Sequence, residues 1–187
     1  MTLSIAYFPP IEYFALLAKY SSVYVDASER YCKQSYRNRC TILTANGPMD
    51  LRFPIMHDGT SGIRDVRVDY STPWVRRTEY AIDSAYYNSP FFEYYRDELF
   101  SILDSRKETL WELDMSIIEF FCRKIGINCP EAAVTPVEPV TLVHPKHPSG
   151  YTGSAYWQVF REKFGFIPNL SVMDLLFNEG NESLCYL

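Results

Sequence analysis

The stretch at residues 3–25, LSIAYFPPIEYFALLAKYSSVYV, carries the signals that decide the fold. Residues 3–7 form a short apolar run typical of a β-strand, and two prolines follow it. Because a proline lacks an N–H group, it suits the first turn of a helix, where that group has no partner. Residues 11–20 then carry apolar side chains at helical spacing, and residues 23–25 form a second strand-like run. This order predicts a βαβ-like unit, and ligands favour the carboxyl ends of such strands.

A β-hairpin is predicted beyond this unit. Residues 40–43 and 51–55 are strand-like, and Asn46-Gly47 lies between them. Asn-Gly is a strong turn signal because both residues tolerate a positive φ. Pro54 cannot donate to a strand ladder, so it makes the second strand an edge strand or ends its pairing.

The remaining chain is predicted to be mainly helical after one more strand. Residues 57–61 are expected to form a loop, and residues 63–69 alternate apolar and charged side chains, as a half-buried strand does. Residues 129–153 are rich in Pro, Thr and Val, and we expect a loop arm there that can act as a lid. Ser171 and Asp174 fit a capping box at the start of the last helix. Helical spacing predicts helices at residues 74–87, 91–103, 108–125, 156–164 and 170–178.

These elements predict an α/β fold. A small mixed sheet is expected from the βαβ-like unit and the hairpin, followed by a mainly helical C-terminal half. The 187 residues, 47% of them hydrophobic, suit one well-filled core. We therefore expect a single domain over residues 1–187, with an α/β part at about 1–70 and a helical part at about 71–187. No apolar run reaches the roughly 18 residues that a membrane span needs, so no membrane insertion is expected.

The cysteines and the N-terminus indicate a cellular compartment. The chain has five cysteines, an odd number, and none of them form a C-x-x-C pair. The first residues show no basic segment followed by a long apolar run, as a secretory signal would. Both observations predict a reduced, cytoplasmic protein whose thiols behave as small apolar side chains.

The charge is unevenly distributed along the chain. The formal net charge is -5, yet residues 1–77 hold 10 basic against 7 acidic residues, and residues 78–187 hold 8 against 16. Nine of the ten early cations lie between Arg30 and Arg77. A positive stripe on an acidic protein favours a compact anionic ligand over a polymer, so nucleic acid is not expected as a partner.

The densest group of cations lies at residues 26–39, after the second predicted strand. Arg37 and Arg39 offer forked donors that suit a phosphate or a carboxylate, and Lys33 adds a point charge. Asn38 can both donate and accept hydrogen bonds. The alternative interpretation is a solvated loop in which the carboxylates of the same stretch, Asp26 and Glu29, pair with these cations.

Other motifs carry weaker signals. His144 and His147 are three residues apart, but they lie in a proline-rich stretch without a partner cysteine, and no metal site is expected. Cys32 lies beside two cations that favour its thiolate, which leaves a cysteine nucleophile open. The chain has no G-x-G-x-x-G and no Walker-type loop, and its residues name no cofactor.

A series of short motifs runs in order along most of the chain. They are YFPPIEYF (7–14), VD (25–26), KQSYRNR (33–39), NGP (46–48), LRFP (51–54), IRDV (63–66), Trp74, AYYNSPFF (85–92) and LSVMDLL (170–176). In these motifs the chain resembles the WbqC-like protein family. Many relatives have Gln-Pro where this chain has Ile5-Ala6, so a role for that glutamine is not carried over.

The resemblance implies an enzyme that modifies an activated sugar in surface-polysaccharide or O-antigen biosynthesis. Acyl or aminoacyl transfer to an amino sugar is the candidate reaction. A nucleotide-sugar is the expected ligand, because it carries a diphosphate, hydroxyl groups and rings. The expected substrate-binding residues are Lys33, Arg37 and Arg39 for the diphosphate, Asn38 for hydroxyls, Tyr7, Tyr13 and Trp74 for stacking, and Tyr86 to close the pocket.

Asp26 is the candidate catalytic base, since it ends a strand beside cations. Those cations would lower its pKa and weaken it, and ion pairing with Arg37 or Arg39 is the alternative role. A non-catalytic binding or assembly protein of the same pathway is the alternative function. Its aromatic residues would then form a surface for a partner enzyme or for a second copy in a homo-oligomer.

Overall fold

The computed structural model describes residues 1–56, 62–147 and 149–187, so the loop expected at 57–61 lies outside the described residues. The strands are β1 (Thr2–Leu3), β2 (Tyr24–Asp26), β3 (Arg39–Thr44), β4 (Gly47–Arg52), β5 (Ile55–Met56), β6 (Arg67–Val68), β7 (Glu131–Ala133) and β8 (Val140–Thr141). The helices are α1 (Ile11–Lys19), α2 (Trp74–Tyr86), α3 (Phe92–Asp104), α4 (Leu110–Ile125), α5 (Arg161–Phe164) and α6 (Val172–Glu179). Short 3-10 turns lie at Tyr36–Asn38, Ile63–Asp65 and Gly180–Tyr186.

The opening βαβ unit is confirmed. Strand β1 pairs in parallel with β2, with Thr2 opposite Tyr24, and α1 connects them. Helix α1 buries Tyr13, Phe14 and Leu17 in the core, as the helical spacing predicts. The mixed α/β class is also confirmed, because the parallel sheet is followed by a predominantly helical second half.

The loop arm expected at residues 129–153 is wrong in part, because this segment supplies two strands. Strand β7 pairs with β2, and β8 pairs with β1, which gives a four-stranded parallel sheet of order β7-β2-β1-β8. Between them the chain is held by Thr2, whose hydroxyl donates to the Val137 carbonyl at 2.8 Å and accepts from its N–H at 2.7 Å. The physical reason is that both edges of the β1–β2 pair have backbone groups that need partners.

The hairpin is confirmed, and it forms a two-stranded sheet of its own. Strands β3 and β4 are antiparallel, with Arg39 opposite Arg52 and Thr44 opposite Gly47. Gly47 has a φ of 105°, which explains the glycine at this turn. The β3–β4 ladder stops at Arg52, two residues before Pro54, in agreement with the sequence.

The prediction of a half-buried strand at residues 63–69 is wrong for most of these residues. Only Arg67–Val68 is a strand, paired with β5, and Ile63–Asp65 is a 3-10 turn. Ile63, Val66 and Val68 are buried. They lie three and then two residues apart, whereas a half-buried strand would bury every second residue. The Val66 carbonyl instead accepts from the N–H of Leu110 at 2.8 Å, which ties this segment to the start of α4.

Helices α2, α3 and α4 match the predicted helices closely. Helix α4 starts at a capping box formed by Thr109 and Glu112, and it ends at Gly126, which has a φ of 83°. These helices and the N-terminal elements contribute to the same large core cluster, which contains many phenylalanines. No helix among the described residues is long and apolar enough to cross a membrane.

The helix expected at residues 156–164 is wrong in its first half, since α5 covers only Arg161–Phe164. Two polar side chains pull the preceding segment into the interior. The Tyr156 hydroxyl donates to Asp174 at 2.6 Å, and the Gln158 amide donates to the same carboxylate at 2.9 Å. These bonds also prevent the capping box expected at Ser171 and Asp174, although the Ser171 hydroxyl still caps α6 by accepting from the Met173 N–H.

Candidate functional site

A cleft of about 560 Å³ lies between strand β4 and helix α2, and we call it the β4–α2 cleft. Its walls hold two residues predicted from the sequence, Asn38 and Trp74. They also hold polar and charged residues that the sequence analysis did not single out. These are Asp50 and Arg52 from β4, Thr72 before α2, and Arg77 and Thr78 from α2.

Helical geometry explains why α2 contributes so much of the wall. Trp74, Arg77, Thr78 and Ala81 follow one another at intervals of three, one and three residues, so they share one face of the helix. This face is turned toward β4. The spacing from Trp74 is therefore the signal that could have identified Arg77 and Thr78 from the sequence.

Asn38 fixes the floor of the cleft through its own hydrogen bonds. Its amide N–H donates to the Phe53 carbonyl at 2.9 Å, and its amide oxygen accepts from the Tyr31 hydroxyl at 3.0 Å. The Phe53 N–H in turn donates to the Asn38 carbonyl at 3.2 Å. Asn38 thus positions the end of β4, and its second amide N–H makes no hydrogen bond with another described residue.

A row of aromatic rings packs beneath the cleft. Trp74 lies 5.3 Å from Phe53 and 5.6 Å from Tyr70, and Tyr7 lies 4.7 Å from Phe53, all between ring centroids. Trp74 is only 4% exposed, so little of its indole face is open to a stacked ligand. The prediction that Trp74 stacks on a ligand ring therefore has little exposed indole surface to support it.

The indole Nε1 of Trp74 is buried and has no hydrogen-bond partner among the described residues. The Tyr7 hydroxyl is also buried, and it interacts with the Thr78 side chain of the cleft wall without meeting strict hydrogen-bond geometry. An unpartnered buried donor costs about 1–3 kcal/mol, so a polar ligand atom bonded to Nε1 of Trp74 would be stabilising. Burial raises the pKa of Tyr7 well above its usual value, which keeps this hydroxyl a neutral donor.

Of the charged residues at the mouth of the cleft, Asp50 and Arg52 pair with each other, whereas Arg77 does not pair with another described residue. Arg52 donates to Asp50 at 2.9 Å, and Thr41 donates to the same carboxylate at 2.8 Å. Burial acts to raise the pKa of Asp50, but these two hydrogen bonds outweigh it and lower the pKa below its usual value. Arg77 is exposed and has no ion pair with another described residue. It also lines an adjoining groove of about 370 Å³, together with Arg76 and Tyr80.

Arg37, predicted to bind a phosphate, lies in the interior instead. It is 5% exposed, and its guanidinium forms two hydrogen bonds with Glu29, one of them 3.1 Å from Nε to Oε1. A third donor reaches the Ser4 hydroxyl at 3.1 Å. The same Glu29 carboxylate accepts from the Ile5 N–H at 3.2 Å. Arg37 therefore joins the turn at Tyr36–Asn38 to the segment after β1.

Asp26, the predicted base, does not line the β4–α2 cleft. Its carboxylate accepts from the N–H of Ser28 at 2.8 Å and from the Ser28 hydroxyl at 2.6 Å. The cations expected beside it have other partners, since Arg37 pairs with Glu29 and Arg39 lies 3.9 Å from Asp50. The carboxylate that the structure brings to the cleft is Asp50.

The other predicted binding residues lie around or away from the cleft. Arg39 donates to the Gln34 carbonyl at 2.5 Å, and Lys33 is exposed on the same loop. Tyr13 and Tyr86 are each 1% exposed in the core, and no described residue meets hydrogen-bond geometry with their hydroxyls. The structure thus brings Asn38 and Trp74 together and places Tyr7 under them.

Asp114 is a buried group that the sequence analysis missed. It lies on α4, is fully buried, and neither of its carboxyl oxygens has a hydrogen-bond partner among the described residues. Burial raises its pKa well above the usual value, although the nearby Arg37 opposes this effect. Its position four residues from both Leu110 and Ile118 places it on the apolar face of α4, and this spacing could have revealed it.

No group of three or more His, Cys, Asp or Glu side chains that could hold a metal ion occurs in the part of the chain that the structure describes. The rings of His144 and His147 lie 5.2 Å apart. The pKa of His144 is lowered by burial and by the neighbouring positive groups of His147, Arg37 and Arg39.

Comparison with known proteins identifies the family. The model of the WbqC-like protein family matches residues 6–140, which include every residue named above as lining the β4–α2 cleft. No curated protein and no solved structure matches the chain significantly. Since the matched region covers more than half of the chain, the protein belongs to the WbqC-like family, which is associated with polysaccharide and O-antigen gene clusters.

Proposed function

We propose that this protein is a transferase that binds an activated, nucleotide-linked sugar in the β4–α2 cleft. The observation that carries the proposal is the exposed Arg77, which has no ion pair with another described residue and lines a cleft that Asn38 and Trp74 also line. A volume of about 560 Å³ falls within the usual range for small-molecule sites. The association of the family with polysaccharide gene clusters supports a sugar as the ligand.

The diphosphate is assigned to the arginines of the mouth. The Arg77 guanidinium has no ion pair with another described residue, and its planar fork of donors matches phosphate oxygens. Arg52 is 62% exposed and shares Asp50 with other donors, so it can turn one edge toward the same anion. In this assignment Arg77 and Arg52 take the role predicted for Arg37 and Arg39.

The rings and hydroxyls of the ligand are assigned to the remaining polar groups. Tyr80 is 76% exposed beside Arg77, so it offers an open aromatic face for a base or sugar ring. The Trp74 N–H, the free N–H of Asn38 and the hydroxyl of Thr72 are suited to sugar hydroxyls. A mixed set of donors of this kind is what gives orientation in a small-molecule site.

The proposed reaction is acyl or aminoacyl transfer to an amino sugar. The amine of the acceptor must form a bond to the acyl carbon and lose a proton as the leaving group departs. Asp50 lines the cleft as a carboxylate, and it can accept a hydrogen bond from that amine and orient it. Because its pKa is lowered, Asp50 is better suited to orienting the amine than to removing the proton.

A second candidate function is a binding or assembly protein of the same pathway. The observation that favours it is a set of tyrosines on the outer faces of α2 and α3 and at the end of α2. Tyr80, Tyr87 and Tyr94 are 76%, 72% and 79% exposed. Exposed tyrosines are frequent at protein interfaces because they combine a large apolar ring with a hydroxyl.

Thermal unfolding in the presence of a panel of nucleotide-sugars and acyl thioesters distinguishes the two functions. A ligand present at about 100 times its Kd should raise Tm by roughly 5–10 °C in a protein of this size. The variant Arg77→Ala should lose this shift. The control Arg123→Ala should retain it, since Arg123 pairs with Glu98 on another helix and does not line the cleft.

The assembly function predicts a different pattern. A partner enzyme or a second copy would bind wild type and Arg77→Ala equally. It would not bind the double variant Tyr87→Ser, Tyr94→Ser. A panel that gives no shift, together with binding that depends on these two tyrosines, would replace the transferase proposal with the assembly one.

A further inference from the structure

Two basic segments that lie far apart in the sequence meet near the start of β3. One is the loop that holds Lys33 and Arg39, and the other is residues 144–147, after β8. Gln34 joins them. Its carbonyl accepts from the Arg39 guanidinium at 2.5 Å, and its side-chain oxygen accepts from the Lys146 ammonium. Two cations are therefore bonded to the same neutral residue.

Further basic groups adjoin this contact. Lys33 precedes Gln34 in the chain and is exposed. The Lys146 N–H donates to Nδ1 of His144 at 3.1 Å, and the His147 N–H donates to the His144 carbonyl at 3.1 Å. The centroids of the two imidazole rings lie 5.2 Å apart across this turn. We call the side chains of Lys33, Arg39, His144, Lys146 and His147 the basic patch.

Carboxylates balance little of the charge of the basic patch. Among the described residues, Arg39 is its only member with an ion pair, to Asp50 at 3.9 Å. That carboxylate also accepts from Arg52 and Thr41, at 2.9 and 2.8 Å. Because the cations at Gln34 share a neutral acceptor and repel each other, an anion that reaches both of them would be stabilising.

We propose that the basic patch binds a phosphate-bearing anion, at a site separate from Arg77. The donors suit this ligand, because Arg39 offers a planar fork and the two lysines offer point charges to phosphate oxygens. Nδ1 of His144 accepts a hydrogen bond, so the neutral ring carries its proton on Nε2 and can donate there. A diphosphate has oxygens on two phosphorus atoms, so it can contact more of these donors than a single carboxylate can.

The pKa of His144 agrees with a positive environment. Burial is the main cause that lowers this pKa, and His147, Arg37, Arg39 and Lys146 lower it further. All four of these groups are basic, and three of them belong to the basic patch. Arg37 is the exception, since it is paired with Glu29 in the interior.

The basic patch lies beside the β4–α2 cleft but is built from other residues. Arg39 lies opposite Arg52 in the β3–β4 ladder, and its ion-pair partner Asp50 lines the cleft. No residue of the basic patch is among those that line the cleft. The phosphate groups can therefore belong to a free diphosphate or to a larger molecule that also reaches the cleft, since both offer the same oxygens. The inference does not depend on what binds in the cleft.

Proton NMR of the histidine rings tests the proposal. The full chain is titrated with sodium pyrophosphate at constant pH and ionic strength. The chain has three histidines, at positions 57, 144 and 147, so the variants His144→Gln and His147→Gln assign the signals. In the wild type, the signals of both histidines of the basic patch should shift and saturate.

Charge variants show which residues hold the anion. The double variant Lys33→Gln, Lys146→Gln should weaken binding about tenfold, since each lost contact of an exposed charge weakens it about threefold. The single variant Lys33→Gln leaves the bond between Lys146 and Gln34 intact, and it should still weaken binding about threefold. The control Lys107→Gln, Lys163→Gln removes the same charge outside the basic patch and should bind like the wild type.

Two further titrations separate this site from the cleft and identify the source of the phosphate. Arg77→Ala should leave the pyrophosphate titration of the His144 and His147 signals unchanged. Binding of coenzyme A that is tighter than that of pyrophosphate assigns the basic patch to the phosphate groups of a larger molecule, and equal or weaker binding assigns it to the free anion. Signals that do not shift or do not saturate, equal affinity of the two double variants, or a loss of binding in Arg77→Ala would overturn the proposal.

Discussion

Arg37 and Glu29 form a buried ion pair, with Nε of the arginine 3.1 Å from Oε1 of the carboxylate and a second, shorter contact beside it. Their side chains are 6% and 10% exposed. The pair also holds Ser4 and the backbone of Ile5, so it fixes the loop after β2 against the start of the chain. A cation that looks like a ligand-binding group in the sequence is thus engaged in the interior.

We expect Arg37→Ala to lower the free energy of unfolding by about 3–5 kcal/mol, because it leaves the Glu29 carboxylate buried without its partner. The double variant Glu29→Gln, Arg37→Met should recover a large part of this loss. Urea unfolding of the three proteins measures the effect. An Arg37→Ala protein of wild-type stability that has lost ligand binding would show that Arg37 belongs to the binding site.

Asp114 gives a prediction on pH dependence. In the unfolded chain its carboxyl ionises near pH 4, whereas in the folded protein burial keeps the proton on at higher pH. Folding is therefore favoured most by this group below about pH 4, and its contribution falls as the pH rises toward the raised pKa. The substitution Asp114→Asn should remove this loss of stability with rising pH. Urea unfolding between pH 4 and 8 should show an advantage of the variant that grows with pH; a constant difference would contradict this account.

Asp174 should affect the free energy of unfolding over a narrower range of pH. Burial raises its pKa to about 6, although the hydrogen bonds from Tyr156 and Gln158 act to lower it. Its contribution to stability is present below about pH 4 and should decline by on the order of 3 kcal/mol between about pH 4 and 6. The decline is best measured by urea unfolding in an Asp114→Asn background, where Asp114 no longer titrates. A flat profile there would contradict the assignment.

Removing the Tyr156 hydroxyl tests the same network independently. Tyr156→Phe deletes the 2.6 Å donor to Asp174, so the pKa of Asp174 should rise further and its proton should be held to higher pH. The free energy of unfolding at pH 7 should fall by about 1–3 kcal/mol. Gln158→Glu is not an equivalent change, because it would place a second carboxyl beside Asp174.

Two glycines with positive φ form a matched pair of substitutions. Gly126 has a φ of 83° and open space where a Cβ would stand, so Gly126→Ala should cost about 1 kcal/mol from backbone strain alone. Gly180 has a φ of 55°, and a Cβ there would come within 2.7 Å of the Phe91 ring. Gly180→Ala should therefore lower Tm distinctly more. Equal effects in thermal unfolding would show that the Phe91 ring moves aside freely.

The sequence predicts the parts of the fold that depend on neighbouring residues. The helix α1, the β3–β4 turn at Asn46-Gly47 and the end of α4 at Gly126 each have a local signal. Strands β7 and β8 have none, because their pairing with β2 and β1 involves residues more than a hundred positions away. The helix expected at residues 156–164 fails for a similar reason, since Asp174 draws Tyr156 and Gln158 into the core.

In the candidate site, too, residues with a local sequence signal are predicted and residues that depend on distant contacts are not. Asn38 and Trp74 stand out in the sequence and do line the cleft, and Trp74 begins a helix that helical spacing predicts. The charge of Arg37 predicts an anion-binding role, and charge alone does not reveal that Glu29 pairs with it in the interior. Arg77, which has no ion pair with another described residue, is not singled out by the sequence analysis. Helical spacing from Trp74 would have selected Arg77.

The central claim is that the β4–α2 cleft binds an anionic, nucleotide-linked sugar through Arg77. Calorimetric titration of the nucleotide-sugar that most stabilises the protein, into wild type, Arg77→Ala and Arg123→Ala, tests it most directly. Loss of a charged, forked hydrogen-bond donor should weaken binding to Arg77→Ala by about tenfold or more, which is at least ~1.4 kcal/mol, and leave Arg123→Ala unchanged. Equal affinity of wild type and Arg77→Ala would contradict the claim.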